Sequence, residues 1–530
     1  RSMQSLVDEG KKLTELPGIG EDLAEKIKTI LKTGKLPLLE EVRARTPAAL
    51  SDLMSIEGLG PKRVKTLYKE LKIRSLDDLK RKAKDGKIHE LEGFGEKTET
   101  SILEHIAHYR GKEKRMKLSA AEEVAESLCV YLKAIDGVKE LTVAGSFRRR
   151  KETVGDLDIL VTAKNDSPVM QRFTEYDEVD EVISHGKTRS SVVLRSGRLH
   201  VDLRVLPQVS YGAALQYFTG SREHNIEVRR LAVKEGYKIN EYGVFKDDKR
   251  IAGKTEKEVY AKVGLPYIEP ELRENRGEIE AGRKNRLPEL IELKDIRGDL
   301  HCHTRETDGH NTLEEMLKAA SEQGYEYFSV NDHSKHVTVA KGMDEKRLRK
   351  QLEEIDAIND KHGDITILKS IEVDILEDGK LDLPDNVLKE LDFTVCAVHY
   401  KFNLSRKKQT ERIIRAMDNP LFTILAHPSG RLISEREAYE IDMERIIRAA
   451  KERGVHLEVN AQPARLDLND VYCKAAKEVE LKFSIATDTH STSGFSNMRF
   501  GVYQARRGWL EPGDVINTRK LSELRKILKR

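Results

Sequence analysis

Two stretches of this sequence hold residues whose types and spacing suit metal-assisted chemistry. The first is GSFRRRKETVGDLDIL, residues 145–160. Asp156 and Asp158 stand two apart in an apolar run. On a strand they project from one face, while Leu157 and Ile159 take the other. Adjacent carboxylates repel unless a cation joins them, and Mg²⁺ accepts one or two carboxylates together with substrate phosphates. A third acid, Asp202, lies in the strand-like run LHVDLRVL. Three acids on neighbouring strands suit two metal ions, one activating a 3′-hydroxyl and one clamping a triphosphate with its leaving group. The basic cluster just ahead then has a purpose: Ser146, Arg149 and the glycine turn take the phosphates that the metals bridge.

The second stretch is GDLHCHTRETDGHNT, residues 298–312. It sets His301 and His303 on one face of a strand, with Asp308 close behind. His333, Glu372, His399, His427, Asp488 and His490 follow, each after an apolar strand-like run. Strand C-termini of a β/α barrel converge on one face, so all nine residues would meet there. Six histidines, two aspartates and a glutamate are too many for one four-coordinate Zn²⁺. They suit two or three divalent ions such as Mn²⁺ or Zn²⁺. Such a cluster makes hydroxide at neutral pH and steadies a phosphate-ester transition state. Arg431, Arg465 and Arg499 also fall at loop positions after strands, where they would either hold substrate phosphates or make salt bridges.

The elements that carry these residues are legible in outline. LPGIGEDLAEKI (16–27), IEGLGPKRVKTLY (56–68) and LEGFGEKTETSILEHI (91–106) share one plan, a pair of glycines followed by a helical period. The glycines permit a tight turn, and the helix N-terminus then points its free N–H groups outward. This is the helix-hairpin-helix plan, which grips a DNA phosphate without reading sequence. It nominates Gly18, Gly20, Gly58, Gly60, Gly93 and Gly95. An amphipathic helix is expected over 119–137. Strands follow in LTVAGSF, GDLDILVTA, SVVLRS and LHVDLRVL, then short helices and strands over 206–270. Residues 269–298 are charged and poor in aromatics, which reads as a linker. Beyond 297 strand-like and helical runs alternate, the pattern of β/α units.

The totals bound the answer. The 530 residues correspond to about three or four domains. Charged residues make up 35% and the net charge is only +3, so any affinity for nucleic acid must rest on local sites. The four cysteines are scattered with no CxxC pair, which reads as reduced thiols in a cytoplasmic protein. Cys302 stands out because it lies between two histidines. No apolar run reaches membrane-spanning length, the N-terminus is not that of a signal peptide, and the opening RSMQSLVDEGKK reads as a truncated helix.

Residues 10–270 resemble the family X DNA polymerases. Their pattern of Gly-Ser, two arginines and Gly-Asp-x-Asp is matched by Gly145, Ser146, Arg148, Arg149, Gly155, Asp156 and Asp158. The resemblance implies Asp156, Asp158 and Asp202 as the catalytic, metal-binding triad, and Ser146, Arg149 and Gly155 as contacts to the incoming triphosphate. YFTGSREHNIEVR (217–229) is similar to the family's nucleotide-pocket signature. That likeness puts Tyr217 and Phe218 beneath the sugar, Gly220 among the nucleotide contacts, Asn225 at the base edge and Arg229 on the template. In repair members the first hairpin carries a lysine with abasic-site lyase chemistry. Lys26 is at the matching place, but Asp22 stands where a basic neighbour is expected, so Lys26 reads as a solvated helix lysine, with lyase chemistry as the alternative.

Residues 297–530 are similar to the polymerase-and-histidinol-phosphatase (PHP) domain, and all nine ligand positions of that family are filled. The implied architecture is a multidomain α+β and α/β chain. It comprises a helix-hairpin-helix region (1–110), a nucleotidyltransferase-type polymerase core (111–270), a linker (271–296) and a distorted (β/α)7 PHP barrel (297–530). The implied activity is short-gap filling in DNA repair with Mg²⁺ or Mn²⁺, joined to a metal-dependent 3′→5′ exonuclease. The implied partners are gapped or primer-template DNA and deoxynucleoside triphosphates, with no membrane, on a monomer. The alternatives are a template-independent nucleotidyltransferase with a phosphatase domain, and a DNA-end scaffold without catalysis.

Overall fold

The computed structural model describes residues 3–529 except 9, 17–18, 38, 40, 42–52, 55–58, 97, 101 and 104–114. The chain divides into two compact units. The first holds residues 1–115 with 178–183 and 192–200, and the second holds 116–177, 184–191 and 201–530.

In the first unit the second glycines of the first two motifs open helices as expected. Gly20 is the N-cap of Glu21–Thr33, and Gly60 is the N-cap of Pro61–Leu71, where Pro61 suits the first turn. Leu59, Val64, Leu67, Ile73, Leu79, Ile88, Phe94 and Ile102 pack a small apolar core. Around it, the carboxylate of Glu99 accepts the backbone N–H of Ile88 at 2.7 Å and of His89 at 3.0 Å.

The second unit begins with helix Leu118–Lys133, which buries Leu118, Ala121, Ala125, Leu128 and Leu132 at helical spacing. Strand Asp156–Ala163 lies between Val138–Val143, to which it is antiparallel, and His200–Val205. The strand expected in LTVAGSF ends at Val143, and Gly145–Arg148 forms a helical turn instead. Gly145 has φ +62°, and a Cβ there would stand 2.9 Å from Asp158 Oδ2. Only glycine lets the chain turn this close to the acid.

Helices Tyr211–Thr219, Arg222–Lys234 and Glu256–Ala261 then pack with the three-stranded sheet of Lys238–Asn240, Gly243–Lys246 and Lys249–Ala252. The charged stretch after residue 268 is built into the fold. Pro270–Leu272 and Glu278–Arg283 are helical, and Arg273 and Glu278 are fully buried. Glu271, Arg273 and Glu278 are buried, while Glu280, Arg283, Lys284 and Arg286 stay exposed, so the first part of this stretch is packed into the fold and is not a free tether.

From Gly298 onward the chain forms parallel strands separated by helices. Gly298–Asp299, Tyr327–Val330 and Thr366–Lys369 form one sheet. Glu372–Asp374, Val395–Ala397, Ile424–Leu425, His456–Asn460 and Phe483–Ala486 form another. Thr366–Lys369 and Glu372–Asp374 are parts of one run, since the pairing of Val330 with Lys369 continues as a bridge between His333 and Glu372. A parallel bridge between Cys302 and Thr489 closes the ring. The result is an irregular barrel of seven strand runs with apolar cores inside and outside it.

Candidate functional sites

The three acids of the first site come together as expected. Asp156 and Asp158 share one face of their strand, and Asp202 lies on the neighbouring strand. Asp202 is only 7% exposed. Ser191 Oγ donates to its Oδ1 at 2.5 Å, and Arg189 and Arg204 approach Oδ2 at 3.1 and 3.4 Å. Burial, then the charges of Asp156 and Asp202, push the Asp158 carboxyl up to about 7. A carboxyl in that position is the one that most needs a cation before it can ionise.

The nucleotide-pocket residues form a connected group beside it. Asn225 Nδ2 donates to the Tyr217 carbonyl at 2.7 Å, and Gln216 Nε2 donates to Asn225 Oδ1 at 2.8 Å. The Tyr217 and Phe218 rings meet edge to face at 5.1 Å, and the Arg204 guanidinium lies 4.5 Å from the Phe218 ring centre. Gly220 has φ +70°, and a Cβ there would stand 3.0 Å from Arg149 Nη1. Arg149 donates to the Thr219 carbonyl at 2.5 Å and to Glu274 at 3.0 Å. Arg148 donates to Thr219 Oγ1 and to both oxygens of Glu256. Arg229 Nε donates to the Asn225 carbonyl at 3.2 Å.

Of the glycines nominated for DNA, Gly18 and Gly58 lie outside the described residues. At Gly20, Gly60, Gly93 and Gly95 a Cβ would meet nothing within 4 Å. Internal packing therefore does not demand glycine there, and the space beside the backbone is open for a close approach. Lys26 Nζ pairs with Asp22 at 2.5 Å along the exposed face of its helix.

All nine residues of the second site converge at the C-terminal ends of the barrel strands. Glu372 is the hub. Its carboxylate lies 2.9 Å from His333 Nδ1, 3.2 Å from His399 Nε2, 2.9 Å from His427 Nε2, and 3.5 and 3.7 Å from the Nε2 atoms of His301 and His303. Asp308 stands 3.3 Å from both His333 and His490, and Asp488 stands 3.2 Å from His303. Three overlapping groups have the spacing of metal ligands: His303 with Asp308, His333 and His490; His301 with His303 and Asp488; and His333 with Glu372 and His399.

The donor set fits divalent cations. The Nδ1 of His303 is buried without a hydrogen-bond partner, 3.7 Å from Asp308. Burial opposes charge throughout the cluster, yet the carboxylates push His333 up to about 10 and His490 up to about 9, while the histidines hold Glu372 and Asp488 well below the usual carboxylate range. Metal binding to these imidazoles would therefore displace protons and depend on pH.

Sequence reasoning missed the residues that hold these ligands. The barrel strand from which no ligand was drawn, His456–Asn460, supplies Glu458 and Asn460, both buried. Glu458 Oε1 lies 2.7 Å from His301 Nδ1, and its Oε2 accepts the His427 backbone N–H at 2.7 Å. Asn460 Nδ2 donates to Glu458 and Asp488, each at 3.1 Å. Asp374 lies 3.2 Å from His399 Nδ1. A glutamate inside the apolar run VHLEVN was the available signal. Cys302, flagged between two histidines, turns into the apolar core, where burial raises its thiol well above the ordinary value and removes it from the ligand set. Of the three loop arginines, Arg465 faces the cluster, 3.4 Å from Asp488, whereas Arg431 and Arg499 pair with Glu152 and Glu122.

Known proteins resemble this chain along its length. Family models match in the order of the chain: a SAM-like helix-hairpin-helix tandem at 50–107, the DNA polymerase beta palm at 115–196, the DNA polymerase beta thumb at 214–274 and the PHP domain at 299–462. The DNA polymerase/3'-5' exonuclease PolX of Bacillus subtilis is 36% identical over all of this chain and 92% of its own length. The chain belongs to the family X DNA polymerases that carry a PHP domain. Partial relatives match each half. DNA polymerase lambda of Rattus norvegicus is 29% identical over 52% of this chain and 50% of its own. The "Probable phosphatase" of Thermoanaerobacter pseudethanolicus is 27% identical over 42% of this chain and 89% of its own. The PHP match ends at residue 462, but the strand that brings Asp488 and His490 to the family X polymerase's second site lies beyond it.

Proposed function

We propose that this chain fills short gaps in duplex DNA with its polymerase core and trims 3′ ends with its PHP site as a 3′→5′ exonuclease. The observation that carries the reading is the presence of two clusters of different donor chemistry on one chain. One is all carboxylate beside a basic loop. The other is mainly histidine. Carboxylates with substrate phosphates suit Mg²⁺ or Mn²⁺, whereas imidazole-rich sets suit Mn²⁺ or Zn²⁺.

In the polymerase core, Asp156, Asp158 and Asp202 would hold the cations, with Asp202 steadied by Ser191, Arg189 and Arg204. Bound divalent ions supply a more acidic primer hydroxyl and charge neutralisation at the leaving group. Gly145, Ser146, Arg149 and Gly155 take the triphosphate. Tyr217 and Phe218 lie under the sugar and Gly220 is among the nucleotide contacts, with Asn225 at the base edge and Arg229 on the template. The open glycines of the first unit grip phosphates, giving modest, salt-sensitive affinity without sequence preference. In the PHP site the nine candidate ligands would hold two or three ions, Glu458 and Asp374 would orient His301 and His399, and Arg465 would meet the phosphate. Asp22 occupies Lys26, so lyase chemistry has no support here. The four cysteines, three buried and one half-buried and none in a disulfide, accord with a reducing compartment such as the cytoplasm. Similarity to the "Probable phosphatase" favours a second reading of the PHP site, removal of a 3′-phosphate.

The test uses a 5′-labelled primer on a one-nucleotide gap with Mn²⁺, with and without nucleotides. Asp156→Ala/Asp158→Ala should lose extension alone, and His301→Ala/His303→Ala should lose shortening alone. Loss of both activities in the aspartate variant would remove the PHP site as the nuclease. Extension of a lone single strand would restore the template-independent alternative, and gap binding without turnover would restore the scaffold.

A further inference from the structure

The basic loop 148–152 sits in the polymerase core, yet much of what holds it comes from the PHP domain. Arg431 donates to Glu152 at 2.7 and 3.3 Å. The ring of Tyr503 lies 4.2 Å from the Arg150 guanidinium. Glu122 is shared by Arg150 at 2.9 Å and Arg499 at 3.2 Å. The closest hold on Arg149 is through Arg507. Its Nη1 donates to the Arg149 carbonyl at 2.7 Å and to Glu274 Oε1 at 3.1 Å, and its Nη2 donates to Asp470 at 2.6 Å. Glu274 Oε1 also accepts Arg149 Nε at 3.0 Å. The Arg507 side chain is 2% exposed.

We propose that Arg507 is a positioning residue for nucleotidyl transfer, fixing Arg149 for the incoming triphosphate from the far end of the chain. This rests on the reading of Arg149 as a triphosphate contact. One planar guanidinium, with its donors in a fixed fork, reaches a main-chain carbonyl and two carboxylates at once. A lysine has a single charged nitrogen and cannot span all three. Arg507 also shares Glu274 with Arg149. When Arg149 turns toward a phosphate, the buried carboxylate keeps a cation, and the exchange leaves no orphaned charge. Small errors in the placement of such a group are costly to rate and binding.

The experiment is gap filling by the full chain at varied nucleotide concentration, with exonuclease activity and melting temperature read on the same preparations. Arg507→Gln should raise KM for the nucleotide about tenfold with a smaller change in kcat. Arg507→Lys should fall between it and wild type, and shortening of the primer should stay at the wild-type rate. Arg149→Gln should raise KM at least as far, and the double variant should be no worse than Arg149→Gln. Glu435→Gln removes another domain–domain ion pair, that with Lys117, and should leave KM unchanged. An unchanged KM in folded Arg507→Gln, an additive double variant, or parallel loss of both activities would overturn the proposal. If Arg149→Gln raises KM and Arg507→Gln does not, only the positioning role falls. If Arg149→Gln has no effect, the triphosphate reading falls as well. Should Arg507→Gln fail to fold, Arg507→Lys carries the same comparison.

Discussion

His301 directs its Nδ1 at Glu458 Oε1, 2.7 Å away across the barrel, and so presents its Nε2 to Glu372 and Asp488. A carboxylate behind a metal-binding imidazole fixes the tautomer and raises the basicity of the ligand. Glu458→Gln should therefore lower exonuclease activity about 10–100-fold while leaving gap filling intact. A variant that trims primers at the wild-type rate would remove Glu458 from this role.

The histidine-rich cluster should bind metal measurably. Purified wild-type protein should carry two or three divalent ions per chain by elemental analysis, and His301→Ala/His303→Ala should lose most of them. Chelation should abolish shortening, and re-addition of Mn²⁺ or Zn²⁺ should identify the competent ion. Equal metal content in both proteins would contradict the assignment.

Asp158 sets a pH dependence whose sign can be stated. Its carboxyl is raised from 3.8 to about 7 by burial and by Asp156 and Asp202. The native state without metal therefore holds a proton that the unfolded chain releases, and stability falls as pH rises through that window. Asp158→Asn removes the penalty. Without metal, its melting temperature should exceed that of wild type by a margin that opens above pH 4 and levels off above about pH 7. The same variant should lose extension, and a wild-type melting temperature at pH 8 would refute the argument.

Glu256 behaves in the opposite sense. Burial raises its carboxyl, but Arg273 and Arg148 together hold it below the ordinary value of 4.5. Its contribution is present above pH 4.5 and is lost as pH falls through the lower native value. Arg273 is fully buried and Glu256 only 6% exposed, so Glu256→Gln should cost about 3–5 kcal/mol at neutral pH. The difference from wild type, followed by thermal melting, should narrow below pH 4. A constant difference down to pH 3 would show that the carboxylate charge is not what stabilises this core.

Much of both sites was readable because the signals are local. Period-two spacing put Asp156 and Asp158 on one face, and residues that end successive parallel strands must converge whatever lies between them. The supporting shell was hidden for the opposite reason. Glu458, Asn460 and Asp374 look like ordinary polar residues, and only the closure of the barrel brings them behind His301, Asp488 and His399. The stretch after residue 268 misled because composition reports hydropathy and not pairing. Arg273 and Glu278 are satisfied in the interior, by Glu256 and His224, although the charges around residues 280–286 stay exposed.

The order of domains, the three candidate catalytic acids and the nine metal-ligand candidates were thus determined by the sequence, since each depends on residue type and short-range spacing. Only the tertiary structure decided that Arg148 pairs with Glu256 and that Arg149 and Arg507 share Glu274. Those outcomes depend on which charges meet across hundreds of residues. No local pattern encodes such a meeting, because burial makes the pairing necessary and burial is a property of the whole fold.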